Sequence, residues 1–148
     1  VGEVNVVEKM KEVGAVIGGE GNGGVIYPEL HYGRDALVGT ALFLTQLAEK
    51  KVKCSELKKE YPAYFMSKNK IQLTPTTDVD GILAKFAEKF KDEQVTTIDG
   101  VKIDFEEGWV HLRKSNTEPI IRIYSEGKTE AEAERFADMI LEEAKKMV

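Results

Sequence analysis

Two short stretches of this sequence concentrate side chains that could hold a ligand. Residues 18–24 read Gly-Gly-Glu-Gly-Asn-Gly-Gly, so Glu20 and Asn22 stand between glycines. A carboxylate accepts hydrogen bonds and an amide both accepts and donates, which suits the hydroxyls of a sugar. Glycines let the backbone approach a ligand closely. Two readings are open for this loop, a tight bend and nothing more, or a surface offering Glu20 and Asn22. Gly19, Gly21 and Gly24 also satisfy the G-x-G-x-x-G spacing of a dinucleotide site. That site needs a helix directly after the glycines, because the pyrophosphate sits on the helix N-terminus. Here Val25-Ile26-Tyr27-Pro28 follows, a short strand and a stop, and the dinucleotide reading is rejected.

The second stretch is Arg113-Lys114-Ser115-Asn116-Thr117-Glu118-Pro119. Two cations, two hydroxyls and an amide fall within five consecutive positions. A phosphate dianion is held best by a charged bidentate donor with neutral donors around it, and the backbone N–H groups of a turn can add to these. Arg113 would supply the fork, with Ser115, Asn116 and Thr117 beside it. The competing reading is a solvated connection between two strands. Arg122 lies a few residues on, inside the next apolar run.

Other reactive side chains carry less. His31 and His111 are far apart and neither stands in a metal-ligand spacing, and no Ser-His-Asp arrangement is legible. Trp109, at a strand start, reads as packing. Glu106-Glu107 and Lys145-Lys146 read as solvated charge, the lysines complementing a helix C-terminus.

The elements that must position the two stretches follow from periodicity. A weak three-residue spacing of Val4, Val7 and Met10 suggests a helix over 4–13, and Ala15-Val16-Ile17 has the look of a short buried strand. Leu37, Ala41, Leu44, Leu47 and Ala48 mark a helix over 35–50 with Asp35 as N-cap. Residues 51–64 read as a connector with a charged helical turn. Beyond it, Lys68–Thr74 alternates as a strand, and Val79, Ile82, Leu83, Phe86, Ala87 and Phe90 line one face of an amphipathic helix. Val95–Ile98, the Asp99-Gly100 turn and Val101–Phe105 form a hairpin pattern. Trp109–Leu112 and Ile120–Tyr124 are further strands around the polar stretch 113–119. A final helix starts at Thr129, with Glu132 in capping-box position. The expected architecture is an edge fragment of an α/β layer over residues 1–64, then an α+β domain over residues 65–148. In the second domain the helices cover one face of a mainly antiparallel sheet.

Composition limits the function classes. The 148 residues carry 21 basic and 26 acidic side chains, a net charge of -5, which disfavours a dedicated nucleic-acid binder. It leaves room for a small phosphorylated ligand in one local basic loop. The single cysteine, Cys54, rules out an internal disulfide framework and fits a reducing cytoplasm. The apolar stretch 37–47 is interrupted by Gly39, Thr40, Thr45 and Gln46, so no membrane span is expected. The opening Val1-Gly2-Glu3-Val4 has neither a start methionine nor a signal-peptide pattern and reads as cut from something longer.

Taken together, the two loops resemble one family. Gly19-Glu20-Gly21-Asn22-Gly23-Gly24 is similar to the sugar-discriminating loop of the α-D-phosphohexomutases (phosphoglucomutase, phosphomannomutase, phosphoglucosamine mutase). Arg113–Pro119 is similar to that family's C-terminal phosphate-binding loop, and Val1-Gly2 and Gly33-Arg34-Asp35 fit the same order. The resemblance spans the whole chain. It implies the end of domain three and all of a TATA-binding-protein-like domain four in a four-domain enzyme. It also implies interconversion of hexose 1-phosphate and hexose 6-phosphate through a phosphoserine and a bisphosphate, assisted by Mg²⁺. Serine and metal loop would both lie upstream of this chain. Glu20 and Asn22 would then hold sugar hydroxyls, and Arg113, Ser115, Asn116 and Thr117 the non-reacting phosphate. Several bacterial members carry Ser and His where this chain has Asn22 and Gly24, so no hexose preference carries over. The alternatives are a non-catalytic phosphosugar-binding module and, against the acidic charge, a nucleic-acid binder.

Overall fold

The computed structural model describes residues 2–115 and 117–147. They fall into two compact units, Val1–Pro62 and Ala63–Val148. No helix among the described residues is long and apolar enough to cross a membrane.

The first unit begins with α1 (Glu3–Val13). The helix stops at Gly14, where the Ala15 N–H donates back to the Met10 carbonyl. The expected strand over residues 15–17 does not form. Val16 and Ile17 are 78% and 53% exposed, and pairing starts only at β1 (Gly18–Gly19) against β2 (Val25–Tyr27). Continued past Gly18, this register would set Tyr27 opposite Ile17 and Pro28, which has no N–H to donate, opposite Val16, and the ladder ends at Gly18. A third antiparallel strand, β3 (His31–Arg34), pairs with the other edge of β2. Its sequence, His-Tyr-Gly-Arg, has no apolar alternation to announce it; the open edge of β2 recruits it through backbone hydrogen bonds. Helix α2 (Ala36–Lys50) starts where expected, the Asp35 carboxylate accepting from the Leu37 and Val38 N–H groups. A short α3 (Cys54–Leu57) and a 3-10 turn (Lys58–Glu60) complete the unit. Its buried apolar residues are Met10, Ile26 and Leu57.

The second unit is a five-stranded antiparallel sheet with two helices on it. The strands are β4 (Phe65–Gln72), β5 (Gln94–Thr96), β6 (Val101–Phe105), β7 (Gly108–Lys114) and β8 (Ile120–Gly127), in the order β4-β8-β7-β6-β5. The helices are α4 (Val79–Lys89), with Asp78 as N-cap, and α5 (Glu130–Ala144), with the Thr129–Glu132 capping box in place. One face of the sheet buries Val101, Ile103, Val110, Leu112, Ile121 and Ile123 against Ile82 and Phe86 of α4 and Phe136 and Ile140 of α5. Several strand limits differ from expectation. Strand β4 starts at Phe65 because its partner β8 runs on to Gly127, and stops at Gln72 because β8 begins at Ile120. Strand β5 stops at Thr96 and leaves Ile98 exposed. Arg113 and Lys114 are the last two residues of β7, not the first of a loop, being paired with Arg122 and Ile121 of β8.

Candidate functional site

In the first unit the glycine loop joins β1 to β2 and is drawn tight by its own backbone. The Glu20 N–H donates to the Gly24 carbonyl at 3.2 Å, and the Gly23 N–H to the Glu20 carbonyl at 3.2 Å. At Gly19 a Cβ would lie 2.4 Å from the Gly24 carbonyl oxygen, so a side chain there would force the loop open. Glu20 and Asn22 are brought together. Asn22 Nδ2 donates to Glu20 Oε2 at 3.3 Å, and Asn22 Oδ1 accepts from the Gly24 N–H at 2.9 Å. Glu20 Oε1 also accepts from the Gly2 N–H at 2.8 Å. A carboxylate offers about four lone-pair sites and an amide two donors and two lone pairs. Both side chains are therefore oriented by the loop with capacity left for a ligand. Nearby, the Gly33 N–H donates to His31 Nδ1, so the ring proton sits on Nε2 and points at Asp35 Oδ2, 3.2 Å away. The Asp35 pKa is lowered, first by the Val38 N–H it accepts from and also by His31; this is a helix cap rather than a reactive pair.

In the second unit the sheet face turned away from α4 and α5 carries an unusual row. Register places Lys70 of β4 opposite Arg122 of β8, and Arg122 opposite Arg113 of β7. Like charges directly across strands are destabilising, and here three cations are adjacent. Two carboxylates offset them: Asp99 Oδ2 lies 3.0 Å from Arg113 Nε, and Glu118 Oε2 lies 3.2 Å from Arg122 Nη2. Tyr124 first, and Glu118 after it, raise the Arg122 pKa above the ordinary guanidinium value.

The chain then turns from β7 into β8. The Ser115 N–H donates to the Ile120 carbonyl at 3.0 Å and closes the loop. Ser115 Oγ accepts, over long distances of 3.4 and 3.3 Å, from the Thr117 and Glu118 N–H groups. An oxygen used as acceptor keeps its own O–H to donate. Arg113, Lys114, Ser115, Thr117 and Arg122 line one concavity of about 250 Å³. The structure thus gathers Arg113, Ser115 and Thr117 and adds Arg122, while Asn116 lies outside the described residues. Lys70 and Arg122 were invisible as partners of Arg113 in the sequence. The signal that could have found them is the two-residue alternation of each strand, once the pairing register is known.

Elsewhere on this face Trp109 Nε1 donates to Glu126 Oε1 at 3.1 Å, with Lys102 over the ring. It packs on the sheet as expected. No group of three or more His, Cys, Asp or Glu side chains among the described residues could hold a metal ion.

Comparisons with known proteins follow the same division. Residues 49–143 match the family model described as phosphoglucomutase/phosphomannomutase, C-terminal domain, and residues 1–65 match phosphoglucomutase/phosphomannomutase, alpha/beta/alpha domain III. A phosphoglucomutase/phosphomannomutase of Thermococcus kodakarensis is 42% identical over 99% of this chain and 33% of its own length. A phosphoglucosamine/phosphogalactosamine mutase of Sulfurisphaera tokodaii is 40% identical over 100% of the chain and 32% of its own length. Among solved structures, a phosphoglucomutase/phosphomannomutase family protein of Burkholderia thailandensis aligns with a TM-score of 0.73 at 29% identity, over 98% of this chain and 32% of that one. The chain spans about a third of the length of the curated relatives it matches.

Proposed function

The chain belongs to the phosphoglucomutase/phosphomannomutase family, and we propose that it forms the substrate-gripping C-terminal part of a phosphohexomutase. In this reading Arg113, Ser115, Asn116, Thr117 and Arg122 hold the phosphate that is not reacting, while Glu20 and Asn22 hold sugar hydroxyls. A phosphoserine elsewhere in the longer protein gives its phosphoryl group to the free hydroxyl of a hexose phosphate, and that hydroxyl loses its proton. The resulting bisphosphate turns over and returns its other phosphoryl group to the serine. Mg²⁺ would be held by the same upstream part of the longer protein.

The observation that supports this most is the cross-strand row of Lys70, Arg122 and Arg113 beside the Ser115–Thr117 hydroxyls. A row of like charges is kept against its cost where an anion uses it. An arginine fork matches two phosphate oxygens in a way a point charge does not. The test is steady-state kinetics, in both directions, on the longer protein carrying Arg113→Ala, Arg113→Lys or Glu20→Ala. A hydrogen bond to a charged group is worth roughly 1.5–3 kcal/mol. For Glu20→Ala and Arg113→Ala, kcat/KM should therefore fall by about ten- to a hundredfold. Arg113→Lys should be impaired as well. Folded Arg113→Ala and Glu20→Ala enzymes with parental kinetics in both directions would remove the reading.

A further inference from the structure

Arg113 is ion-paired with a residue outside the loop. Its Nε atom lies 3.0 Å from Asp99 Oδ2, on the turn joining β5 to β6. Resting on the reading of Arg113 as the phosphate fork, we propose that Asp99 is a positioning residue that aims this guanidinium and leaves its two terminal nitrogens to the ligand.

The turn that carries Asp99 is built not to swing. The Asp99 carbonyl oxygen lies 2.5 Å from His111 Nε2. A carbonyl can only accept, so the imidazole proton is on Nε2 and donates into the turn. Gly100 has φ 75°, and a Cβ there would lie 2.1 Å from the Leu112 carbonyl oxygen and 3.1 Å from Arg113 Cα. The turn therefore lies directly against the backbone of β7 at the residue it positions. Asp99 and Arg113 are 26% and 31% exposed, a partly buried pair that salt screens less than a fully exposed one. An arginine side chain loses rotamer freedom when it grips an anion. Orienting the fork beforehand removes part of that loss from the binding step.

The sign of the effect separates positioning from plain electrostatics. Asp99 is a negative charge beside an anion site, so by Coulomb's law alone its removal should tighten phosphate binding. A positioning role requires the opposite. Asp99→Asn suits the test because Asn-Gly is a favoured two-residue hairpin turn, which preserves the fold while removing the charge.

The experiment titrates inorganic phosphate into the 148-residue chain and follows backbone amides and the Arg113 Nε–Hε resonance by NMR. Parent, Asp99→Asn, Arg113→Ala and the double variant are compared, with a melting curve for each. Asp99→Asn should weaken phosphate binding by about three- to tenfold, the span of a modest coupling between neighbours. The Nε–Hε resonance should move before any phosphate is added. Arg113→Ala should weaken binding further, and Asp99→Asn should cause no additional loss in that background. Binding by Asp99→Asn as tight as the parent's or tighter overturns the positioning role, and so does an equal loss in the Arg113→Ala background. Parental binding by Arg113→Ala is a different outcome. It overturns the phosphate-site reading itself, and the positioning role with it.

Discussion

The two units carry a candidate ligand loop each but support it by different means. The second unit mounts Arg113 and Arg122 at the ends of paired strands whose opposite face is closed by α4 and α5 over Phe86, Ile103, Leu112, Ile123 and Ile140. The first unit hangs Glu20 and Asn22 on a loop between strands of two and three residues. Its longest helix, α2, buries none of its fifteen residues, and Leu37 and Phe43 stay 83% and 43% exposed. Rigid strands fix a guanidinium to the tolerance an anion needs. The glycine loop instead fixes its side chains through hydrogen bonds inside the loop, and those hold only as firmly as the short sheet beneath them. Local stability should therefore differ between the units more than their hydrogen-bonded appearance suggests.

The largest effect expected from this contrast is in core truncation. Ile123→Ala or Phe86→Ala removes a fully buried side chain from the second unit and should cost about 2–5 kcal/mol. Phe43→Ala in α2 should stay within about 0.5 kcal/mol, as surface substitutions do. Urea unfolding of this chain, followed by fluorescence and circular dichroism, measures all three. A loss for Phe43→Ala matching that of Ile123→Ala would erase the contrast.

Native-state hydrogen exchange sharpens the same point without mutation. Amides paired between β4, β8 and β7 should exchange at least about a hundredfold more slowly than those of β1 and β2, a difference of about 2.7 kcal/mol in opening. Equal protection of Ile123 and Ile26 would mean that the first unit is stabilised by something its burial does not reveal.

The glycines permit a finer comparison between the glycine loop and the turn that carries Asp99. Gly100→Ala places a Cβ into the Leu112 carbonyl oxygen at a backbone φ of 75° and should destabilise the second unit by about 2–3 kcal/mol. Gly21→Ala, where a Cβ meets nothing within 4 Å, should leave stability nearly unchanged. Thermal melts of the two variants decide. A folded Gly100→Ala chain with the parental melting point would show that the turn yields easily.

How far the sequence predicts this arrangement depends on whether the signal is local. Helix α2 is legible with its N-cap at Asp35 and α5 with its Thr129–Glu132 capping box, while α4 is legible from its apolar face without its cap at Asp78, because apolar periodicity and capping act within a few residues. The Asp99-Gly100 turn was legible for the same reason. The strand expected over Ala15, Val16 and Ile17 does not form because a strand needs a partner, and the chain leaves β2 after Tyr27 at Pro28, which has no N–H to extend the ladder. Strand β3 was missed because its side chains carry no pattern. At the candidate site, Arg113, Ser115 and Thr117 could be picked out as neighbours in sequence. The row of Lys70, Arg122 and Arg113 could not, since it joins three strands whose register is set by the whole sheet. The pairing of Asp99 with Arg113 is non-local in the same way.

The smallest effect concerns His111, which links the turn to the sheet in the second unit. It is buried, and burial pushes its pKa below the ordinary imidazole value against the opposing pull of the Asp99 carbonyl. A histidine whose folded pKa is depressed binds a proton more readily when unfolded. Its contribution to stability is thus complete above about pH 6.5 and is lost as pH falls through the folded pKa. His31, exposed in the first unit beside Asp35, sits in no such enclosure. Urea midpoints of the chain should therefore drop between pH 7.5 and pH 5, in the second unit specifically. His111→Gln keeps a side-chain N–H that can reach the Asp99 carbonyl but does not titrate, so it should flatten that part of the profile. Glu143, whose pKa is lowered to about 2 first by Lys146 and then by Lys89, loses its contribution only below about pH 4.5, outside the window. A His111→Gln chain with the parent's slope across pH 5–7.5 would mean that the imidazole takes no part in the pH response, and that the turn over Arg113 is held by Gly100 packing alone.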